Sequence, residues 1–138
     1  TRGKIYDRNL RLLVDKGEKL IAAVTPTIGS LQYLDIMSDR GYSEEMINKG
    51  KPFVCQVNER VSNEFIRSFS VPVRYSREQT AVHLIGYLTA DGENGLSGIE
   101  RACNTYLKES SGMLTVSFEV DAKGTKRTGT IMGAYIGK

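Results

Sequence analysis

Tryptophan is absent from the 138 residues, histidine occurs once, cysteine twice and proline three times. Cys55 and Cys103 are too few for a disulfide framework, and a lone histidine leaves no zinc-ligand spacing. No apolar run approaches the ~20 residues that span a bilayer, and no charged-then-apolar segment at the start reads as a signal peptide. The chain therefore reads as soluble. With 40% hydrophobic and 25% charged residues its composition is ordinary for a globular domain. A chain of this length buries roughly two thirds of its unfolded surface, so it needs neither crosslinks nor a metal to fold. It opens on Thr1 and Arg2 without an initiator Met and closes on Lys138, which reads as a piece cut from a longer protein.

Charge is concentrated at one end. The first 20 residues hold six basic groups and three acidic ones, while the other 118 hold 13 of each. A pI near 8.9 thus reflects the N-terminal segment and not a basic face. Nucleic-acid binding is disfavoured, because it calls for basic residues clustered on one surface, often with interleaved aromatics.

The expected fold class is α+β, a mixed and mostly antiparallel sheet of short strands with three or four helices. Leu10–Val14 and Lys19–Thr25 read as a hairpin around Asp15–Glu18. Ser30 opens a helix in which Leu31, Leu34 and Met37 recur until Gly41, and Ser43 caps a second helix that Gly50 and Pro52 end. Phe53–Val57 and Val71–Tyr75 read as strands around a helical turn near Ser62–Phe69, and Thr80–Leu88 as a buried strand. Asp91–Gly95 forms a loop, and Ser97–Leu107 a helix with Ile99, Cys103, Tyr106 and Leu107 on one face. Met113–Asp121 alternates as a strand, Gly124 turns the chain, and Thr128–Ile136 returns it. No repeat, low-complexity stretch or linker divides the sequence. Hairpin-like pairs at opposite ends suggest a sheet closed by the N- and C-terminal segments.

Little conventional catalytic chemistry is on offer. His83 sits in the run Ala81, Val82, His83, Leu84, Ile85 and reads as a packed side chain whose ring bonds to backbone. Cys55 and Cys103 both fall on apolar faces and read as small hydrophobes, although an oxidising exterior would let them pair. Ser-x-x-Lys, Ser-x-Asn and Lys-Thr-Gly do not occur. Gly95, Leu96, Ser97, Gly98 has the look of a phosphate-binding helix start, but no Lys-Ser or Lys-Thr follows. Two polar segments stand out instead: Arg2, Gly3, Lys4, Ile5, Tyr6, Asp7, Arg8, Asn9, and Gly95, Leu96, Ser97, Gly98, Ile99, Glu100. Taken alone, the first reads as an Asx-type turn and the second as a tight entry into a helix.

Together these segments resemble the non-catalytic N-terminal dimerisation, or pedestal, domain of class B penicillin-binding proteins. That family opens the domain with Arg-Gly-x-Ile-x-Asp-Arg-Asn-Gly, which here runs from Arg2 to Leu10 and departs only at Leu10. It continues with Ala-x-His-x-x-Gly-Tyr, matched by Ala81, His83, Gly86 and Tyr87, and with Gly-x-x-Gly-x-Glu, matched by Gly95, Gly98 and Glu100. The resemblance spans residues 2 to about 121 and is loose from Ile28 to Val71, which it marks as a family-variable subdomain of a single domain, 1–138.

The resemblance implies a chain without cofactor, metal or active site of its own, lacking the membrane anchor and the transpeptidase domain of its parent. Such a domain would hold the penicillin-binding catalytic domain off the extracytoplasmic face of a bacterial membrane. Its partners would be that catalytic domain, other cell-wall synthesis or division proteins and a second copy of itself, with no nucleic acid or small-molecule substrate. Arg2, Gly3, Asp7, Arg8, Asn9, His83, Gly86, Gly95, Gly98 and Glu100 would form its structural motif. Within it, Arg2 and Arg8 are expected to pair with Asp7 and Glu100. A free-standing adaptor of the same fold and a small hydrolase using His83 and Glu100 are the alternatives.

Overall fold

The computed structural model describes residues 1–118 and 120–123 and the backbone of 132–136. The expected turn at Gly124 and the residues 128–131 of the return strand lie outside the described residues. The fold is mixed α+β: a three-stranded sheet, a two-stranded sheet and a few short helices. The chain forms two compact units, one gathering Thr1–Gly17 with Pro72–Leu114, the other centred on Glu18–Val71.

The second unit is organised by β1 (Gly17–Val24), the middle strand of a sheet ordered β2-β1-β3, with β2 at Phe53–Val57 and β3 at Ile66–Val73. β1 and β2 run antiparallel, with Leu20 opposite Val57 and Val24 opposite Phe53. Phe53, Cys55 and Val57 alternate inward with Val54 and Gln56 outward, the period of a strand with one face buried. Against that face pack Leu34, Met37 and Ile47, closing a core that also holds Ala22, Val24 and Ile66. Leu34 comes from a 3₁₀ helix, Ile28–Ile36, and Ile47 from α1, Arg40–Asn48.

Three details depart from the sequence expectations here. The helix expected from Ser30 to Gly41 is the 3₁₀ helix ending at Ile36, because Thr27 and Ser30 bond reciprocally to start it earlier. The three-residue recurrence of Leu31, Leu34 and Met37 is the period of a 3₁₀ turn. Ser43 does not cap α1: the Asp39 carboxylate accepts from Tyr42 N at 2.9 Å, and Ser43 lies buried within the helix. The helical turn near Ser62–Phe69 is replaced by a bend in which the Asn63 side chain accepts from Phe65 N and Ile66 N, so that β3 begins at Ile66.

In the first unit the expected hairpin between Leu10–Val14 and Lys19–Thr25 is not formed. Tyr6 pairs with Leu12, and Leu13 N donates to Ile5 O at 2.8 Å, because the chain has already turned at Asp7–Leu10. Thr80–Leu88 is not a strand. It holds α2 (Val82–Ile85), a single turn entered through Ala81 at φ 53° and left through Gly86 at φ 78°. A short apolar run does not distinguish strand from buried helical turn by its period. The helix expected over Ser97–Leu107 is broken at Cys103 into α3 (Gly98–Ala102) and α4 (Asn104–Glu109). That break leaves Leu107 buried but Tyr106 and Cys103 exposed, correcting the apolar face drawn through them. Cys55 is buried, and both cysteines are free.

β4 (Met113–Ser117) pairs with β5 (Met132–Ile136) as a separate two-stranded sheet. Among the described residues the N-terminal segment forms no ladder with it: Gly3 N reaches Leu107 O at 2.9 Å, and Gly112 N, just before β4, reaches Thr1 O at 2.6 Å. Ile5, Val14, Ile85 and Leu107 are the buried apolar residues at the centre of this unit. Among the described residues no helix is long and apolar enough to cross a membrane.

Candidate functional site

Glu100 opens the first turn of α3 and is fully buried. A carboxylate out of water is costly unless it is paired and hydrogen-bonded, so its surroundings carry the explanation. Oε2 accepts from Arg2 Nε at 2.8 Å. Oε1 accepts from Arg74 Nε at 2.8 Å and from the Tyr75 hydroxyl at 3.0 Å. Arg74 Nη2 also lies 2.8 Å from Oε1, without the alignment of a hydrogen bond.

Both guanidinium groups reach further. Arg2 Nη2 donates to Asn104 Oδ1 at 2.7 Å and to the Glu100 carbonyl at 3.1 Å. Arg74 Nη1 donates to the Gly3 carbonyl at 2.7 Å and to Asp15 Oδ2 at 3.0 Å. Two carboxylates thus face two guanidiniums, all four side chains no more than 12% exposed. The cluster is neutral as a whole, and it pins the N-terminal segment, Asp15, the residue that follows β3 and the head of α3 to one another.

Burial works to raise the Glu100 carboxyl, but hydrogen bonds and charge from Arg74 and Arg2 outweigh it, so the group sits below its ordinary value. Asp15 goes the other way: burial outweighs Arg74 and raises it. Burial and the neighbouring Glu100 charge push the Tyr75 hydroxyl up to about 12, so it keeps its proton and donates a hydrogen bond to Glu100.

The glycines expected at the site answer to close backbone approach. A Cβ on Gly95 would lie 2.0 Å from the Glu100 carbonyl oxygen, and one on Gly86 2.0 Å from that of Ser97. Gly98, at φ +58°, would place a Cβ 2.4 Å from the Leu84 carbonyl oxygen. Gly3 is buried and would set a Cβ 3.0 Å from Leu107 O. Substituting Gly86 or Gly98 would push α2 from the head of α3, and substituting Gly95 would push the preceding loop from the backbone of α3.

The expected set is brought together in part. Arg2, Gly3, Gly95 and Glu100 meet in the cluster, and Gly86 and Gly98 lie where α2 approaches the head of α3. Arg8 is exposed and pairs with neither carboxylate; Arg74 takes the place foreseen for it. Asp7 binds no guanidinium, since its Oδ1 accepts from Asn9 N and Arg11 N at 2.8 Å each, and Asn9 sits in the turn so formed. His83 is exposed on α2, not packed in a core, because only Ile85 of that turn is buried.

Arg74, Tyr75, Asp15 and Asn104 were missed. Asp15 lay in an assumed hairpin turn, and Arg74 in a strand whose pairing distance along the chain carries no local mark. Among the described residues no group of His, Cys, Asp and Glu is placed to hold a metal. A buried carboxylate whose oxygens already accept from Arg2, Arg74 and Tyr75 has no exposed lone pair to take a substrate proton; this arrangement joins chain segments.

No protein-family model matches the sequence, and no curated protein matches it.

Proposed function

We propose that the chain is the non-catalytic pedestal domain of a class B penicillin-binding protein, carrying the transpeptidase domain of its parent outside the membrane and meeting other cell-wall synthesis proteins. The observation behind this reading is the 2.8 Å contact between Arg2 and Glu100, 98 residues apart. It joins the two separate motifs on which the resemblance rests, and a shared structural tie explains why both would occur in one chain. The first unit also exposes Val82, Leu84, Tyr87 and Leu96 around the α2–α3 contact, with Leu96 N bonded to Tyr87 O at 2.8 Å. Grouped apolar side chains of this kind suit a protein contact.

The test is labelling by a fluorescent penicillin. The full-length product of the native gene should be labelled covalently and the 138-residue chain not at all. A full-length product that takes no label, from a reading frame without Ser-x-x-Lys, would overturn the assignment and favour the adaptor.

A further inference from the structure

The ribbon Ile5–Leu13 turns over at Asp7–Leu10, where Leu10 N donates to Asp7 O at 3.0 Å and the Asp7 carboxylate holds the next two donors. Leu10 closes this turn at φ 60°, a left-handed conformation disfavoured for a leucine and free to a glycine. Its side chain is 81% exposed, so packing does not repay that strain. The conformation closes the turn, but a leucine side chain there gains nothing from the fold, and its presence points to a use outside it.

The surroundings indicate which. Lys4, Arg8 and Arg11 are exposed around Leu10 and the half-exposed Tyr6, and among the described residues none of the three cations joins an ion pair. The one acid of the segment, Asp7, is occupied by backbone donors. The ribbon therefore presents an exposed leucine and a half-exposed aromatic ring together with three cations outside any ion pair.

We propose that this tip inserts into the headgroup region of an anionic lipid surface, with Leu10 entering between headgroups and Lys4, Arg8 and Arg11 meeting lipid phosphates. Charge complementarity selects anionic over neutral lipid. The size of the tip selects lipid over protein: a stable protein interface needs about 800 Å² per partner, whereas an anionic lipid surface adds charge attraction to the small apolar area that a ribbon tip can bury. The inference draws only on residues 4–13 and stands apart from the pedestal assignment; absence of penicillin labelling leaves it untouched.

The experiment is co-sedimentation of the 138-residue chain with vesicles of phosphatidylcholine and phosphatidylglycerol in equal parts, beside vesicles of phosphatidylcholine alone. Wild type should bind the mixed vesicles only, and raised salt should release it. Arg8→Gln with Arg11→Gln should lower partitioning about 30-fold. Leu10→Gly should lower it about fivefold without lowering the melting temperature, which separates loss of the wedge from loss of the fold. Failure of wild type to bind, equal binding to both vesicles, or binding unchanged in Leu10→Gly and in the double variant would each overturn the proposal. So would capture of polyglutamate with the same dependence on Leu10, which would assign the tip to an acidic protein.

Discussion

The two units reach order by opposite means. The second closes nine buried apolar residues, from Ala22 to Ile66, around a sheet and two helices. Among the described residues the first has four buried apolar residues and sets beside them a cluster of two guanidiniums, two carboxylates and a phenol. An apolar core is tolerant of how its side chains rearrange, since dispersion and burial are non-directional. An ion cluster is not, since a missing partner leaves a charge buried without compensation. The first unit should therefore demand its particular partners, while the second accepts volume-conserving exchange and loses stability in proportion to the volume removed.

Truncating the second unit's core should produce the largest loss. Phe53→Ala, at a residue 4% exposed, should cost about 4 kcal/mol, and hydrogen exchange should show the β1–β2 amides losing protection first. Glu100→Gln should cost about 3 kcal/mol, with protection lost at Gly3 N and Leu107 N, while Glu109→Gln on the exposed face of α4 leaves the melting curve unchanged. Equal melting curves for Glu100→Gln and Glu109→Gln would sink the account of the cluster. Identical exchange patterns for Phe53→Ala and Glu100→Gln would break the contrast between the units.

Acid sharpens the same contrast. Because the folded Glu100 carboxyl lies below its ordinary value of 4.5, its contribution is complete above that pH and is lost as pH falls through the folded value. Asp15, raised on folding, has the opposite sign and favours the folded state as it takes up its proton, so it opposes part of that loss. The gap in stability between wild type and Glu100→Gln should be constant above about pH 4.5 and narrow below it, as read from urea titrations at a series of pH values. A gap independent of pH would mean that Glu100 titrates alike in the folded and unfolded chain, and a gap that narrows as pH rises would mean that it is protonated in the fold. The smallest effect should be a gain: Leu10→Gly relieves the left-handed strain in the Asp7 turn and should raise stability by about 1 kcal/mol.

Legibility followed the range of the interaction. Phe53–Val57 and the alternation from Met113 were readable because a strand's period of two is written in consecutive residues. The run Thr80–Leu88 was misread because left-handed Ala81 and Gly86 bend it into a helical turn, and neither conformation is marked by residue type alone at Ala81. Asp39 took the cap assigned to Ser43 because either residue type can fill that role and only the start of the helix decides between them. At the site, Arg2, Gly95 and Glu100 stood out by their motifs, but Arg74 did not, since its partners Asp15 and Glu100 lie 59 and 26 residues away.

By itself the sequence determined the α+β class and the inward–outward alternation of Phe53–Val57. Those follow from side-chain period and backbone preference, which act over a few residues. Which guanidiniums answer Glu100, and that Arg8 and Leu10 are left at an exposed tip while Arg74 turns inward, were decided only by the tertiary structure. Burial and ion pairing depend on which segments the fold brings within about 3 Å of one another, a distance that neighbouring sequence does not encode.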